Sequence, residues 1–333
     1  MAKALYIGDE NNIARKVRKM YVGVDNVARK VRKAYMGVEG VARCIFSSSE
    51  LSYYGKATDL SVARSGPAVT TVGNYALFGG GEPTSSTTSS NVDAYDTSLI
   101  RTIIYNLSSR RFLAATTVGN YALFGGGCDA SLYSLTKMEA YDESLTKTQR
   151  TNLSKARHGL AATTIRNYAL FGGGNTYNTT TYVTTPYATV DAYDESLTRT
   201  TPTELSVARS YLAATTVGNY ALFGGGLKGS AVATVDAYDE SLTRTNPTTL
   251  SKARIYLAAT TIRNYALFGG GHNVNEFATV DAYNESLTRI IPTELSVARS
   301  YLAAITIGNY ALFGGGYDNS SRYATVDVYQ VTE

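Results

Sequence analysis

The octapeptide Asn-Tyr-Ala-Leu-Phe-Gly-Gly-Gly occurs six times in this 333-residue chain, and this repetition constrains the fold more than any other feature. The successive copies are spaced by 46, 47, 52, 45 and 45 residues, and their tyrosines are Tyr75, Tyr121, Tyr168, Tyr220, Tyr265 and Tyr310. A period of this length, with an apolar run that ends in glycines, is typical of a repeated structure in which each unit packs against its neighbours. The repeats therefore predict six similar units arranged around an axis.

Each unit is expected to be a four-stranded antiparallel sheet. In the fourth unit, the short run 212–217 is followed by a Gly218-Asn219 turn, the strand 220–223, a variable loop, the alternating strand 234–238 and a last strand 242–245. The alternative, a repeat of helical hairpins, is disfavoured by the Val, Thr, Tyr and Phe content and by the glycine triplets. Asparagine stands in the first turn of all six copies, where we expect a left-handed backbone at that residue. Four such strands make one blade of a β-propeller.

The two ends of the repeat region predict how the ring closes. The sixth unit ends after its third strand, whereas residues 54–64 align with residues 197–209, which lead from a fourth strand into the next unit. We therefore expect the segment near Lys56 to Leu60 to complete the last blade, so that no sheet edge stays open. The prediction is an all-β fold with a six-bladed propeller over residues 51–333.

The order of motifs within each unit resembles the kelch repeat. A glycine pair ends a strand, a tyrosine in Asp-Ala-Tyr-Asp follows about 13 residues later, and an arginine precedes the next blade. The resemblance covers residues 57–333 and implies a kelch-like propeller. Kelch repeats usually carry a tryptophan after the tyrosine; this chain has none, and Thr200 and Thr245 fall near that place.

Residues 1–50 form a basic leader with its own repeat around Tyr6, Tyr21 and Tyr35. The pairs Asp25-Asn26 and Glu39-Gly40 fit two-residue turns between short strands, although Val27, Val31 and Tyr35 would also fit a basic amphipathic helix. The leader holds ten of the 31 Lys and Arg residues but only five of the 27 acidic residues, so the positive charge of the chain is local. A specific nucleic-acid partner is therefore not expected.

The leader also resembles short repeat segments in tail-associated proteins of bacteriophages and prophages. This resemblance implies that the leader docks into a virion or tail assembly. No apolar stretch approaches the roughly 18 residues of a membrane span, and the first residues do not form a signal peptide. The expected location is thus the virion, or the outside of a cell after release.

Few residues of the chain are suited to catalysis. The only histidines, His158 and His272, fit no triad or metal spacing and are interpreted as solvated loop residues. Cys44 and Cys128 match no metal or redox spacing and are interpreted as unpaired thiols. An acidic residue recurs once per unit beside a tyrosine, where pairing with backbone or arginine is expected: Asp93, Glu139, Asp191, Asp236, Asp281 and Asp327. We therefore expect no enzymatic activity, no cofactor and no metal.

One arginine precedes the first strand of every unit, namely Arg64, Arg110, Arg157, Arg209, Arg254 and Arg299. Two interpretations stay open. Each guanidinium ties one blade to the next, or together the arginines form a basic channel mouth for an anionic ligand.

The units differ mainly in one loop. Residues 202–226 and 292–316 agree except at Thr215/Ile305 and Val217/Ile307, whereas the loops after the glycine triplets are all unlike. These loops are residues 82–91, 128–137, 175–187, 227–230, 272–277 and 317–323, all expected on one face. Tyr, Asn, Ser and Thr on a rigid frame are typical of recognition surfaces, although drift of unconstrained loops is the alternative. The candidate ligand-binding residues are Tyr133, Tyr177, Asn178, Tyr182, Tyr187, Lys228, His272, Asn275, Phe277, Tyr317, Asn319 and Arg322.

These observations predict a non-enzymatic recognition protein, a phage or prophage tail-associated adhesin whose variable loops bind a cell-surface glycan or protein. The alternative is a virion decoration or assembly scaffold without a host ligand. A homo-oligomer is compatible with either. An enzyme acting on polysaccharide is the least favoured class, because no acid/base pair at suitable positions can be named.

Overall fold

The chain divides into two compact units, Met1–Lys56 and Ala57–Glu333. The computed structural model describes residues 57–331 except 319, and in the first unit six strands. Those strands are β1 (Tyr6–Gly8), β2 (Ala14–Lys16), β3 (Tyr21–Val24), β4 (Val27–Lys30), β5 (Lys33–Val38) and β6 (Val41–Ser47).

The six strands of the first unit pair as three antiparallel hairpins, β1–β2, β3–β4 and β5–β6. In the second hairpin Val24 pairs with Val27, and in the third Val38 pairs with Val41. The strand interpretation of the leader is therefore confirmed, and the helical alternative is wrong over these segments. The predicted turn pairs Asp25-Asn26 and Glu39-Gly40 themselves lie outside the described residues.

The second unit is a six-bladed β-propeller arrangement, and strands are its only regular secondary structure among the described residues. Blade one comprises β7 (Ala68–Val72), β8 (Tyr75–Gly79), β9 (Val92–Tyr95) and β10 (Arg101–Ile104); blade two comprises β11 (Ala114–Val118), β12 (Tyr121–Gly125), β13 (Met138–Asp142) and β14 (Lys147–Gln149). Blade three comprises β15 (Ala161–Ile165), β16 (Tyr168–Gly172), β19 (Val190–Asp194) and β20 (Arg199–Thr200), with the loop hairpin β17 (Asn175–Asn178) and β18 (Val183–Pro186).

The last three blades follow the same plan. Blade four comprises β21 (Ala213–Val217), β22 (Tyr220–Gly224), β25 (Val235–Tyr238) and β26 (Arg244–Thr245), with the loop hairpin β23 (Leu227–Lys228) and β24 (Ser230–Ala231). Blade five comprises β27 (Ala258–Ile262), β28 (Tyr265–Gly269), β29 (Val280–Asn284) and β30 (Arg289–Ile290); blade six comprises β31 (Ala303–Ile307), β32 (Tyr310–Gly314) and β33 (Val326–Gln330).

The first turn of each blade corrects one sequence prediction. Gly218 has φ of 50°, and in the two copies without glycine Arg166 and Arg263 have φ of 46° and 50°. The left-handed residue is thus the one before the asparagine, not the asparagine itself. Glycine suits this position because it adopts positive φ without a steric penalty.

Neighbouring blades pack through the two faces of each sheet. We call the face that a blade turns towards the next blade in sequence its forward face, and the opposite face its backward face. At the interface of blades four and five, the forward face of blade four supplies Leu222 and Val235, and the backward face of blade five supplies Phe268 and Tyr283. These two rings meet edge to face, with centroids 6.0 Å apart. A Cβ added at Gly224 would lie 2.8 Å from the Phe268 ring, so the glycine makes room for the aromatic of the next blade.

Blade six ends this series, because its forward face is open. Val217 of blade four is fully buried, whereas the equivalent Ile307 is 63% exposed. A Cβ added at Gly314 would meet only Val326 of the same blade, at 3.4 Å. The closed interface between blades six and one that a complete ring requires is therefore not formed by the described residues.

The described part of the proposed closing segment contacts blade one. Residues 57–60 form no strand; the hydroxyl of Tyr95 donates to the carbonyl of Thr58 at 2.7 Å, and the backbone N–H of Ser61 donates to Asp93 at 3.0 Å. Similar contacts connect the later linkers to the blades that follow them, as where Tyr238 donates to the carbonyl of Thr203. Residues 57–60, which make up most of the segment predicted to close the ring, thus lie where a linker lies, and Lys56 falls outside the described residues. Ring closure stays a prediction.

Candidate functional site

The six variable loops lie at one end of the propeller, which we call the variable face. In blade two Ala114 pairs with Gly125, so the start of the first strand and the end of the second lie side by side. Between blades, the N–H of the last glycine of each triplet donates to the carbonyl of the arginine in the next blade, as from Gly127 to Arg157 at 2.9 Å. An equivalent hydrogen bond joins each of the five pairs of consecutive blades, from blades one and two to blades five and six. The same end of every blade therefore lies on the same face of the propeller.

Several of the predicted binding residues are exposed on the variable face. Tyr133 is 60% and Tyr182 is 77% exposed, and Tyr182 lies in the turn of the β17–β18 hairpin. Asn178, Lys228, Asn275, Tyr317 and Arg322 are also exposed. Exposed side chains on five separate loops are available for contact with a ligand, whereas Asn319 lies outside the described residues.

Other predicted residues are half-buried and hold their loops in place. The N–H groups of Tyr187 and Phe277 donate to the carbonyls of Gly174 and Gly271, both at 2.8 Å, and so close their loops. Tyr187 also packs under the ammonium of Lys155, which lies 5.1 Å from the ring centroid. The half-buried Tyr177 lies on β17, and Nδ1 of the half-buried His272 lies 3.2 Å from a carboxylate oxygen of Glu276.

The arginines do not form an exposed channel mouth. Five of them, Arg110, Arg157, Arg209, Arg254 and Arg299, have no exposed surface, and the side chain of Arg64 is likewise buried. Each guanidinium binds the acidic residue on the third strand of its own blade, at 2.7 to 2.9 Å, in the pairs Arg64–Asp93, Arg110–Glu139, Arg157–Asp191, Arg209–Asp236, Arg254–Asp281 and Arg299–Asp327. Burial and pairing leave these charges unavailable to an anionic ligand.

The first interpretation of the arginines also needs correction. In blade three, Nη2 of Arg157 donates to the carbonyl of Phe171 on β16 at 3.0 Å as well as to Asp191 on β19. The guanidinium therefore ties strands within one blade, and it is the arginine's backbone carbonyl that accepts the hydrogen bond from the preceding blade. The structural role predicted for the acids is confirmed, since Asp191 also accepts the N–H of Ser154 in the linker at 3.2 Å.

The prediction that His158 is a solvated loop residue is wrong. His158 is 3% exposed, because its backbone pairs with Asn175 and its ring lies near Phe112, with Nδ1 2.9 Å from the hydroxyl of Ser134. Burial, with a smaller contribution from Arg111, lowers the pKa of His158 to about 4. Cys128 is a buried free thiol, and burial raises its pKa to about 11. The side chain of Cys44 lies outside the described residues.

A second feature of the variable face is a ring of residues around the propeller axis, one from each blade. This axial ring comprises Gly66, Phe112, Gly159, Tyr211, Tyr256 and Tyr301, each two residues after the buried arginine of its blade. The N–H groups of its last four members donate in turn to the carbonyl of the preceding member, at 2.7 to 3.2 Å. All six have positive φ, between 53° and 63°. A left-handed backbone at bulky aromatic residues is costly, and such strain concentrates at functional sites.

The tyrosines of the axial ring contact one another in a row that continues into a variable loop; Tyr256 stacks on Tyr301 and Tyr301 on Tyr317, whereas Tyr211 is tilted by 49° to Tyr256. The centroids of Tyr211 and Tyr256 are 4.9 Å apart, those of Tyr256 and Tyr301 3.9 Å, and those of Tyr301 and Tyr317 5.2 Å. Burial raises the pKa of Tyr211 to about 12, and burial together with the hydrogen bond to Tyr256 raises that of Tyr301 further, so both hydroxyls stay protonated near neutral pH. Tyr317, a predicted binding residue, thus joins the loops to the axis.

The axial ring surrounds a cavity of about 300 Å³. Its lining also includes the leucine that follows five of the six ring residues: Leu113, Leu160, Leu212, Leu257 and Leu302. The volume is at the lower end of the range for small-molecule sites, which are usually lined by apolar and aromatic side chains.

The sequence analysis missed the axial ring although a signal was present. The second residue after the arginine is Gly, Phe or Tyr depending on the blade, and in five of the six blades a leucine follows it. Only the hydrogen bonds between blades reveal that these residues meet at the axis.

Two further observations bear on the class of protein. Within residues 57–331 without 319, no group of three or more His, Cys, Asp or Glu side chains is placed to hold a metal ion. Nor does that part of the chain contain a helix long and apolar enough to cross a membrane.

The fold is an all-β, six-bladed β-propeller arrangement with the variable loops at one end. No family model matches the chain, and no curated protein is significantly similar to it.

Proposed function

We propose that the chain is a non-enzymatic recognition protein that presents the variable face of a kelch-like propeller to a glycan or protein on a cell surface. The observation that carries the proposal is the aromatic cavity at the axis, which is surrounded by exposed loops from several blades. Rigid aromatic residues supply contact area at low entropic cost, and short polar side chains supply hydrogen bonds. The variable face thus has the composition of a binding surface.

The distribution of charge supports binding rather than catalysis. The acidic residues on the third strands of blades one to five are buried, and all six are held by arginines, so none of these carboxylates is available for proton transfer at the surface. We therefore propose no catalytic residue and no cofactor. The leader, with its three basic hairpins, is the proposed docking element for a phage or prophage tail, on the strength of the resemblance given above.

The experiment compares the full chain with a loop variant in binding to host cells and to immobilised surface glycans. In the variant, residues 175–187 are replaced by the shorter blade-four loop, residues 227–232, which closes through the same hydrogen bond to the last glycine. We expect binding to fall at least tenfold. The control is Asn284→Asp, which gives the blade-five turn the residue found in blade four and should leave binding unchanged.

A structural role in an assembly is the second candidate, and the open forward face of blade six favours it. Ile305, Ile307, Val326 and Val328 are all exposed on this face, and apolar patches of this kind mark contacts with other proteins. Under this alternative the full chain binds to no cell surface and to no glycan, but is incorporated into particles. That result would overturn the recognition proposal.

A further inference from the structure

We propose that the outer edge of blade six is a binding site for an extended segment of a partner protein, one that carries an aliphatic residue followed two positions later by arginine or lysine. We call it the rim site. It consists of the free edge of β33, the carboxylate of Asp327 and a cavity beside Tyr329. The rim site uses no residue of the variable face, so it is independent of the function proposed above.

The edge of β33 is open, whereas the third strand of every other blade is paired on both sides. In blade five, β29 lies between β28 and β30, and its Tyr283 pairs with Arg289 of the fourth strand. Among the described residues β33 pairs only with β32, so its equivalent Tyr329 has no residue opposite it on the outer side. An unpaired strand edge is a template for the backbone of another extended segment.

Asp327 lacks the second cation that each equivalent acid has. In blades one to five the acid on the third strand contacts the buried arginine and also a basic residue of the fourth strand. These second contacts are Asp93–Arg101, Glu139–Lys147, Asp191–Arg199, Asp236–Arg244 and Asp281–Arg289, at 2.6 to 3.7 Å. In the described part of the chain Asp327 is paired with one cation, Arg299. Its side chain is 16% exposed, against 3% or less for the other five acids, so it is open to a cation from outside.

The fourth-strand cation also donates a hydrogen bond to the linker before its own blade. In blade four, Arg244 donates to the carbonyl of Glu204 at 2.6 Å, and the equivalent contact in blade three has the same length. The acceptor is the residue before the linker leucine, and in blade six that residue is Glu294. By this equivalence, Asp327 and the carbonyl of Glu294 together offer acceptors to one incoming cation.

A cavity of about 300 Å³ between blades five and six lies where the other interfaces hold a leucine. This leucine stands two residues before the fourth-strand cation and packs against the preceding blade in blades two to five, as Leu145, Leu197, Leu242 and Leu287. The cavity is lined by the equivalents, one blade further on, of the cluster that Leu287 packs against, namely Ile262, Tyr265, Leu267, Ala282 and Tyr329. The position that corresponds to Leu287 is Glu333, which lies outside the described residues. The cavity thus has the lining that accepts an aliphatic side chain.

The spacing of the two features defines the partner segment. Side chains two residues apart in an extended strand lie on the same face, so one segment can fill the cavity and reach Asp327 together. The fourth strands of blades one to five share this spacing, from Leu99-Ile-Arg101 to Leu287-Thr-Arg289. Residues 51–56, next to the described propeller, read Leu-Ser-Tyr-Tyr-Gly-Lys and lack it, because their one basic residue follows a tyrosine at that distance. A segment from another protein therefore fits the rim site better than this one.

The test is fluorescence anisotropy of the full chain with a labelled octapeptide that has the sequence of residues 285–292, Glu-Ser-Leu-Thr-Arg-Ile-Ile-Pro. We expect saturable binding that weakens roughly fivefold or more when the leucine of the peptide is replaced by alanine, and likewise when its arginine is replaced by glutamine. These peptide changes leave the fold of the protein untouched.

A pair of protein variants locates the binding. Ile290→Lys places a positive charge in the lining of the cavity and should weaken binding by roughly fivefold or more. The matched control is Ile291→Lys, because Ile291 is the adjacent residue, is similarly exposed, and is not among the residues that line the cavity. It should leave binding unchanged. Thermal melts verify that both variants are folded.

Absence of peptide binding, or binding that none of these substitutions weakens, would overturn the proposal. Two further results would assign the rim site to another occupant and so overturn it as well. A wild-type dimer in sedimentation that Ile290→Lys dissociates would mean that a second copy of the chain fills the site. Peptide binding that appears only after deletion of residues 50–56 would mean that the chain's own segment fills it.

Discussion

Nη2 of Arg157 lies 2.7 Å from Oδ2 of Asp191, and neither side chain has any exposed surface. Equivalent pairs in the other five blades have the same geometry, with nitrogen–oxygen distances of 2.7 to 2.9 Å. A buried charge is tolerated only when paired and hydrogen-bonded. The arginine and acid that recur in each repeat are therefore a structural unit of the blade.

We expect Asp191→Asn to destabilise the propeller by about 3 kcal/mol, because it leaves the buried Arg157 without a counter-ion. The urea midpoint, followed by circular dichroism, measures the effect. The control is Arg166→Ala, which removes the surface pair with Glu240, whose side chains are 60% and 37% exposed, and should cost less than about 1 kcal/mol. Equal effects of the two substitutions would contradict the structural role assigned to the buried pair.

The buried His158 predicts a dependence of stability on pH. Its pKa is about 4 in the folded protein against an ordinary 6.5, so the folded state binds this proton more weakly than the unfolded state does. The stabilisation is complete above pH 6.5 and is lost as the pH falls towards 4, by up to about 3 kcal/mol. Unfolding midpoints between pH 7 and 4 should show this fall. The control is His158→Ser, which introduces the residue that blades four and six have at this position. Its stability should fall less steeply over the same pH range, because only the acidic side chains then take up protons.

Two equivalent glycines test the open forward face of blade six. Gly224→Ala places a methyl group 2.8 Å from the Phe268 ring and should cost about 1 to 3 kcal/mol through overpacking. Gly314→Ala meets only Val326 at 3.4 Å and should change the free energy of unfolding by less than about 0.5 kcal/mol. Similar losses in both variants would mean that another sheet covers blade six.

Deletion of residues 50–62 tests the predicted closure of the ring. If this segment completes blade six, its loss opens both ends of the propeller, and the melting temperature of the whole domain should fall by several degrees. Ser61→Ala serves as the comparison, because it leaves the backbone in place and removes only the side-chain contacts with Asp93 and Asn91. An unchanged melting curve of the deletion variant would rule out the closing strand.

The sequence alone was sufficient to predict the blades. The first strand, the glycine-terminated second strand and the third strand of each unit were identified from the repeat, because turns and strand alternation depend on neighbouring residues. The strands of the second and third hairpins of the leader were predicted for the same reason. Repeats also showed where the chain varies, and the variable loops do lie together on one face.

Burial could not be predicted in the same way. His158 and the arginines are polar residues in linkers and loops, where exposure is the usual expectation. They are buried because strands and loops distant in sequence pack around them, as Phe112 and Ser134 of blade two do around His158. The open face of blade six likewise depends on packing, since among the described residues no further sheet covers Ile307, whereas the equivalent Val217 of blade four is buried.

The sequence by itself thus determined the repeating unit and the position of the variable loops, since both follow from local pattern. The tertiary structure alone decided that the arginines pair inside each blade and that one residue from each blade meets at the axis. The physical reason is distance along the chain. The arginine pairs join residues 27 to 34 positions apart that only the folding of a blade brings together, and the residues at the axis are about one repeat apart and meet only when the blades pack side by side.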